Sequence, residues 1–220
     1  MFKGNFTHII FLVALLVVII AIMAYLKTDR SSFMTSDVPE FEEPVKVINN
    51  KYYNKVYNFG FSLPNADWEV FYHEKIDSLR KQDGSLPILD NINIMLEMYR
   101  RDRSDTLAVV QAGIIDLIEP RTPQSLAEQN LREIKLSLSP TDTVRIIKDV
   151  SLSGSGRQQR AYYVIEFGAN LQYPYPVWIA MFVVYNKLAY SMICKVRSEH
   201  YGVLRTDFET ILQSFRLFKS

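Results

Sequence analysis

Ile9 to Leu26, IIFLVALLVVIIAIMAYL, is an unbroken run of eighteen residues without a charge. At about 1.5 Å per residue, a helix of that length spans roughly 27 Å, close to the hydrocarbon thickness of a bilayer. Such a helix closes its own backbone hydrogen bonds and shows lipid only apolar side chains. The run predicts a transmembrane anchor over 9–26 behind a short tail at 1–8. A cleaved signal peptide is the competing reading. Its apolar core is shorter, and Ala21 and Ala24 do not supply the small-x-small spacing of a cleavage site. No cysteine follows the run to direct lipoprotein processing. A pilin-like start lacks its glutamate, because His8, Ile9 and Ile10 stand there, and Pro39 and Pro44 stop a long continuing helix. The flanking charges, Lys3 against Lys27 and Arg30, are nearly balanced. The expected orientation puts the tail inside and the remaining chain outside, in a periplasmic or extracellular space.

Residues 27–50 are polar and acidic, with Asp37, Glu40, Glu42 and Glu43 among Ser31, Ser32 and Ser36. They predict a tether that holds a domain clear of the lipid. Residues 51–220 then suit one domain. The net charge of +1 offers no broad field for nucleic acid. Thirteen tyrosines and thirteen phenylalanines favour a β-rich core. The one cysteine, Cys194, excludes an intrachain disulfide and a cysteine-based zinc cluster, and behaves as a small buried hydrophobe.

The patterning supports this. Tyr57 to Leu63 and Trp68 to Tyr72 alternate as short strands. Asn91 to Tyr99 alternates as well, with Ile92, Ile94, Leu96 and Met98 on one face. Leu107 to Ile118 is a longer apolar run, and Gly113 inside it marks a bulge or close approach. Thr122 and Pro123 open a helix whose stripe is Leu126, Leu131, Ile134 and Leu138, with Ala127 and Asn130 at its edge. Val144 to Leu152 and Arg160 to Phe167 are further strands. Val177 to Tyr185 and Leu188 to Val196 form a hairpin around Asn186-Lys187. Thr206 to Glu209 resembles a capping box that opens a last helix with Phe208, Ile211, Leu212 and Phe215 inward. About eight strands in hairpin order with two helices predict an α+β domain, an antiparallel sheet with helices packed on it.

Several of these residues carry a family resemblance. Tyr53, Tyr57 and the run Gly60-Phe61-Ser62-Leu63-Pro64, then Trp68, the Leu126 to Gln129 helix segment, and Phe208, Ile211, Leu212, Ser214 and Phe215 resemble the PsbP-like family over about residues 50–218. That family includes the extrinsic PsbP subunit of photosystem II, a Ran-binding nuclear protein and bacterial exported proteins. The resemblance implies an antiparallel sheet sandwiched by helices and a non-catalytic binding or accessory subunit. The photosystem subunit is soluble, so the anchor departs from it.

Chemistry is sparse. His8, His73 and His200 lack metal-ligand spacing, and no HExxH, GxSxG, Walker A or GxGxxG motif occurs. No cofactor or metal is expected. Glu97 and Glu166 lie among apolar strand residues; each is expected to face solvent or pair with an arginine. Arg100 and Arg101, in a basic run read as a loop, are candidates for touching phosphate or an acidic partner. Tyr173, Tyr175 and Trp178, with Pro174 and Pro176, are candidates for a rigid aromatic binding surface. The sequence thus predicts a membrane-anchored, non-enzymatic accessory domain that meets another membrane or envelope protein. A small-ligand domain with an aromatic-lined pocket between sheet and helix is the alternative.

Overall fold

The computed structural model describes residues 39, 42–43, 45–72, 93–154, 159–171 and 173–218. The expected anchor, most of the expected tether, His8 and His73 lie outside them. No helix among the described residues is long and apolar enough to cross a membrane. The chain divides into two compact units, one reaching Phe61 and resuming at Ser214, the other running from Ser62 to Gln213. The sequence reading anticipated one domain.

The smaller unit is a four-stranded sheet of order β1-β2-β3-β11. Its strands are β1 (Val45–Ile48), β2 (Lys51–Asn54), β3 (Phe59–Ser62) and, from far downstream, β11 (Arg216–Leu217). β1 lies inside the stretch 27–50 that was expected to be tether. Asn49 and Asn50 both take positive φ, 50° and 56°, and join β1 to β2 with Ile48 opposite Lys51. Asn tolerates that conformation, and two such residues form the tight turn whose twist suits a hairpin. Asn54, buried, accepts a hydrogen bond from the Tyr57 backbone N–H at 3.0 Å and donates to the Tyr52 hydroxyl at 3.1 Å. It thereby fixes the turn into β3. Tyr52 packs on Phe59 and Phe61, and Phe59 stacks on Phe215. Gly60 is required by space: a Cβ there would sit 2.4 Å from the Tyr52 carbonyl oxygen.

The larger unit holds a seven-stranded antiparallel sheet of order β4-β5-β6-β10-β9-β8-β7. These are β4 (Trp68–Tyr72), β5 (Asn93–Asp102), β6 (Asp105–Asp116), β7 (Val144–Ser153), β8 (Arg160–Phe167), β9 (Val177–Tyr185) and β10 (Leu188–Val196). The β9–β10 hairpin turns at Asn186, φ 56°, as its sequence predicts. β5 breaks its alternation at a bulge: Ile94 pairs with Gly113 and Leu96 with Ala112, leaving Met95 over. The bulge puts Ile94 on the opposite face from Leu96 and Met98, where simple alternation had joined them.

Helix α1 (Pro123–Ser137) covers one face, lying on β7, β8 and β9. The Thr122 hydroxyl accepts from the Ser125 N–H at 3.1 Å, and the Ser125 hydroxyl oxygen accepts from the Thr122 N–H at 3.2 Å. Leu126, Ala127, Leu131 and Ile134 meet Tyr163, Ile165, Trp178, Ala180 and Phe182 in one core. Each fully buried Leu or Ile side chain stabilises by about 1.5–3 kcal/mol.

Helix α2 (Ser198–Ser214) belongs to the opposite face. Phe208 meets the Trp68 ring edge at 6.1 Å, and the Trp68 indole N–H donates to Asp207 at 3.0 Å. The helix begins eight residues before the expected capping box. Glu209 does not reach back to a cap; it binds Arg205 one turn earlier at 2.9 Å. Packing of Leu204, Phe208 and Ile211 carries the helix through Gly202, which propensity alone treats as a break. With one helix on each face, the larger unit is an α+β sandwich; the element order predicted the α+β class, and the family resemblance implied the sandwich.

Candidate functional site

Register places the candidate side chains. On the α1 face, one row crosses the larger sheet as Ile165, Trp178, Lys195, Val109, Tyr99 and Glu69. The next row runs Tyr163, Ala180, Ile193, Gln111, Glu97 and Phe71. Under α1 these rows are apolar. Beyond it, on β10, β6 and β5, they become polar.

That polar part is a linked cluster. Glu97 is only 6% exposed and accepts from the Tyr99 hydroxyl at 2.6 Å and the Gln111 amide at 2.5 Å. Neither partner is an arginine, so the expected surface or arginine-paired role for Glu97 is replaced by a buried one. A buried carboxylate needs such donors to offset lost hydration. Lys195, half-buried, lies over the Trp178 ring at 4.6 Å. Burial pulls its amine down to about 8, against the opposing pull of Glu97. The Gln111 amide oxygen is buried without a partner among the described residues. Gln111 and Lys195 escaped the sequence reading because each is one polar residue within a long apolar strand. That interruption was the available signal.

Arg100 and Arg101 lie on strand β5, not in a loop, and alternation sends them to opposite faces. Arg101 approaches Tyr99 at 5.6 Å and Glu69 at 3.5 Å, at the edge of the polar cluster. Arg100 turns to the α2 face and binds Asp67 at 2.9 Å. The two therefore do not form one basic patch.

The aromatic loop folds onto its own core. Trp178 is 3% exposed, and its indole N–H donates to the Tyr175 carbonyl at 2.8 Å. Tyr173 and Trp178 each set an edge against Phe167, with ring centroids 4.9 Å apart. Tyr173 and Tyr175 are half-buried. Trp178 thus packs inside, and only the tyrosines reach the surface. Tyr173 lines a cleft of about 490 Å³ with Arg145, Glu166, Phe167, Pro176 and Ser198. Here Glu166 does have its arginine: Arg145 opposes it across β7 and β8 and binds it, Nε at 3.0 Å. Ser198 donates to the same carboxylate at 2.9 Å. Arg145 foremost, with Ser198, holds the Glu166 carboxyl below its ordinary range. The cleft's charges are largely spent on each other.

A second cleft, about 600 Å³, opens where β6 ends beside α1. Its floor is Leu117, Leu126 and Phe182, and its rim holds Asp116, Glu119, Arg121 and Glu133. Asn130 also lines it. This is the place where sheet and helix leave room, and its rim is polar where an aromatic lining was expected.

No catalytic set assembles among the described residues. Cys194 is fully buried and its thiol is pushed up by that burial. No group of His, Cys, Asp or Glu there could hold a metal ion. His200 lies in α2, 3.9 Å from Glu199.

No family model matches the chain, and no curated protein matches it by sequence. Among solved structures it is similar to the solution structure of cyanobacterial PsbP (CyanoP) from Synechocystis sp. PCC 6803. Identity is 11%, with 83% of this chain and 96% of that chain covered, at a TM-score of 0.51. The chain carries a PsbP-like fold.

Proposed function

We propose that this chain is a membrane-anchored, non-enzymatic binding domain that serves as an accessory or assembly subunit of a membrane or envelope complex. The observation that carries the reading is the internal pairing of its reactive groups. Glu97 is taken by Tyr99 and Gln111, and Glu166 by Arg145 and Ser198. A general acid or base must instead face a substrate within hydrogen-bond reach. The apolar run Ile9 to Leu26 supplies the anchor, and the PsbP-like fold suits a module that binds. The domain faces the extracytoplasmic side and uses neither cofactor nor nucleic acid. The second cleft favours one other reading, a small-ligand domain, because about 600 Å³ is an ordinary ligand-pocket size.

Fractionation tests the anchor. The full chain is expected to stay with membranes through alkaline carbonate extraction, while a chain lacking residues 1–30 is soluble and folded. Release of the full chain by carbonate overturns the anchored reading. Crosslinking in native membranes, with the full chain as bait, then identifies the complex.

A further inference from the structure

We propose that the ε-amine of Lys195 is a covalent modification site that captures a small aldehyde as a Schiff base. The proposal goes beyond the binding role above and does not depend on it. Three observations converge on that chemistry. First, the amine is poorly solvated in its charged form. Lys195 stands on β10 between Trp178 of β9 and Val109 of β6, half-buried, with Nζ over the indole ring at 4.6 Å. It forms no hydrogen bond or ion pair among the described residues. An ammonium has three N–H donors to satisfy, and a ring face offers one diffuse attraction. Burial accordingly pulls the amine down to about 8, which leaves a sizeable neutral fraction, with its electron pair free, near neutral pH.

Second, an acceptor beside the amine lacks a donor. Gln111 follows Val109 on the same face of β6, diagonal to Lys195 across the ladder and within reach of so long a side chain. Its amide nitrogen donates to Glu97 at 2.5 Å, so a reversed amide would set oxygen against carboxylate. The oxygen is therefore the free end, and it is buried without a hydrogen-bond partner among the described residues. A buried acceptor left unmade is costly, which favours an occupant that brings a hydroxyl. Addition of the amine to an aldehyde makes one. Nζ bonds the carbonyl carbon, and the C–O π pair takes up an amine proton to become a hydroxyl that donates to Gln111. That oxygen then leaves as water with the second amine hydrogen, giving C=N, and no oxidant or reductant is consumed.

Third, charge selects the reagent. Glu97 is buried, and its field favours a cation at Lys195. A Schiff base takes a proton from water and restores that cation over the indole face. An acyl group would cancel the charge, and carbon dioxide would turn it into an anion facing Glu97. Half-burial of the amine limits the aldehyde to a few carbons.

The test uses the full chain in detergent micelles, with propionaldehyde and cyanoborohydride near neutral pH to fix each Schiff base as an alkylamine. Peptide mapping by mass spectrometry reads the rate at every lysine and separates the α-amino group, which titrates in the same range. Lys195 is expected to be marked about tenfold faster than the mean of the other lysines. Its lowered pKa enriches the neutral amine on the order of a hundredfold, and half-burial takes back part of that gain. In guanidinium chloride the lead should vanish, because the unfolded chain gives every lysine similar surroundings. Gln111→Met should slow the marking of Lys195 about threefold, the weight of one hydrogen bond to the adduct. The comparison within the parent chain needs no variant, so the test stands even if Gln111→Met does not fold. Even marking of all lysines, or a lead for Lys195 that survives in denaturant, overturns the proposal. So does a carbamate on Lys195 in isotope-labelled bicarbonate, seen by NMR, because Glu97 would then not select against an anion. Carbonate extraction is indifferent to all of these outcomes, so the two readings fail separately.

Discussion

Lys195 and Trp178 are cross-strand neighbours, and the ammonium lies on the indole face at 4.6 Å. Cation–π attraction and Glu97 recover part of the hydration that burial removes. The remainder shows in its pKa, lowered from 10.5 to about 8. The unfolded chain therefore keeps this proton to a higher pH than the folded one. The penalty is fully felt below pH 8 and is relieved as pH rises toward 10.5, so stability contributed by this site climbs across that window. Measured against a Lys195→Met variant, the parent chain should gain on the order of 1–3 kcal/mol between those limits. Denaturant titrations at intervals of pH give the difference directly; a flat difference shows that the amine is not depressed. The comparison with the variant matters because Cys194 and Tyr190, whose pKa values burial raises, oppose the trend in alkali. Cys194 was legible as a buried hydrophobe from its setting in SMICKV. Its neighbour was not, because a strand buried on both faces shows no alternation to expose a misplaced charge.

The elements differ in how far local sequence determines them. Helix α1 has a capping residue, a proline at its start and an apolar stripe, and these agree with its packing. Ile134→Ala should cost about 2–5 kcal/mol, because the side chain is wholly enclosed between α1 and the sheet. Thr122→Ala should cost nearer 1 kcal/mol, the weight of one cap. Chemical denaturation of the two variants checks the order, and equal losses would deny the cap or the core its assigned weight. The β9–β10 hairpin was equally readable, from two apolar runs around Asn186-Lys187. The β1–β2 hairpin has a comparable signal in Asn49-Asn50, yet its first strand is only Val45–Ile48 and follows an acidic, proline-bearing stretch. Composition there outweighed a short pattern. The first two turns of α2 were lost for a different reason: Gly202 and the polar residues around it weaken propensity, and only the packing of Leu204 restores the helix. Of the candidate site, the aromatic loop packs on its own core, with its tryptophan turned inward. The clefts were invisible, because one arises where β7 and β8 meet the aromatic loop and the other where β6 ends beside α1, juxtapositions no local window contains.

At the scale of the whole molecule, the fold contains two sheets with different histories in the chain. The seven-stranded sheet is built from β4 to β10 in one continuous stretch. The four-stranded sheet draws three strands from before Phe61 and its edge strand, β11, from beyond Ser214. Leu217 pairs with Phe59 and is 3% exposed. Leu217→Asp should place an uncompensated charge in that position and cost several kcal/mol. Hydrogen exchange should show the loss first in β2 and β3. Protection lost equally from β9 and β10 would mean that the two units unfold as one.

This pairing also sets a clock. A chain that emerges from a ribosome, or threads through a translocation channel, presents Phe59 long before Leu217. The early strands must wait with one edge open while the larger sheet forms behind them. Unpaired edges recruit other strands, so the waiting period is when this protein is most exposed to misassembly. Its fold is therefore sealed late, by one of its shortest strands.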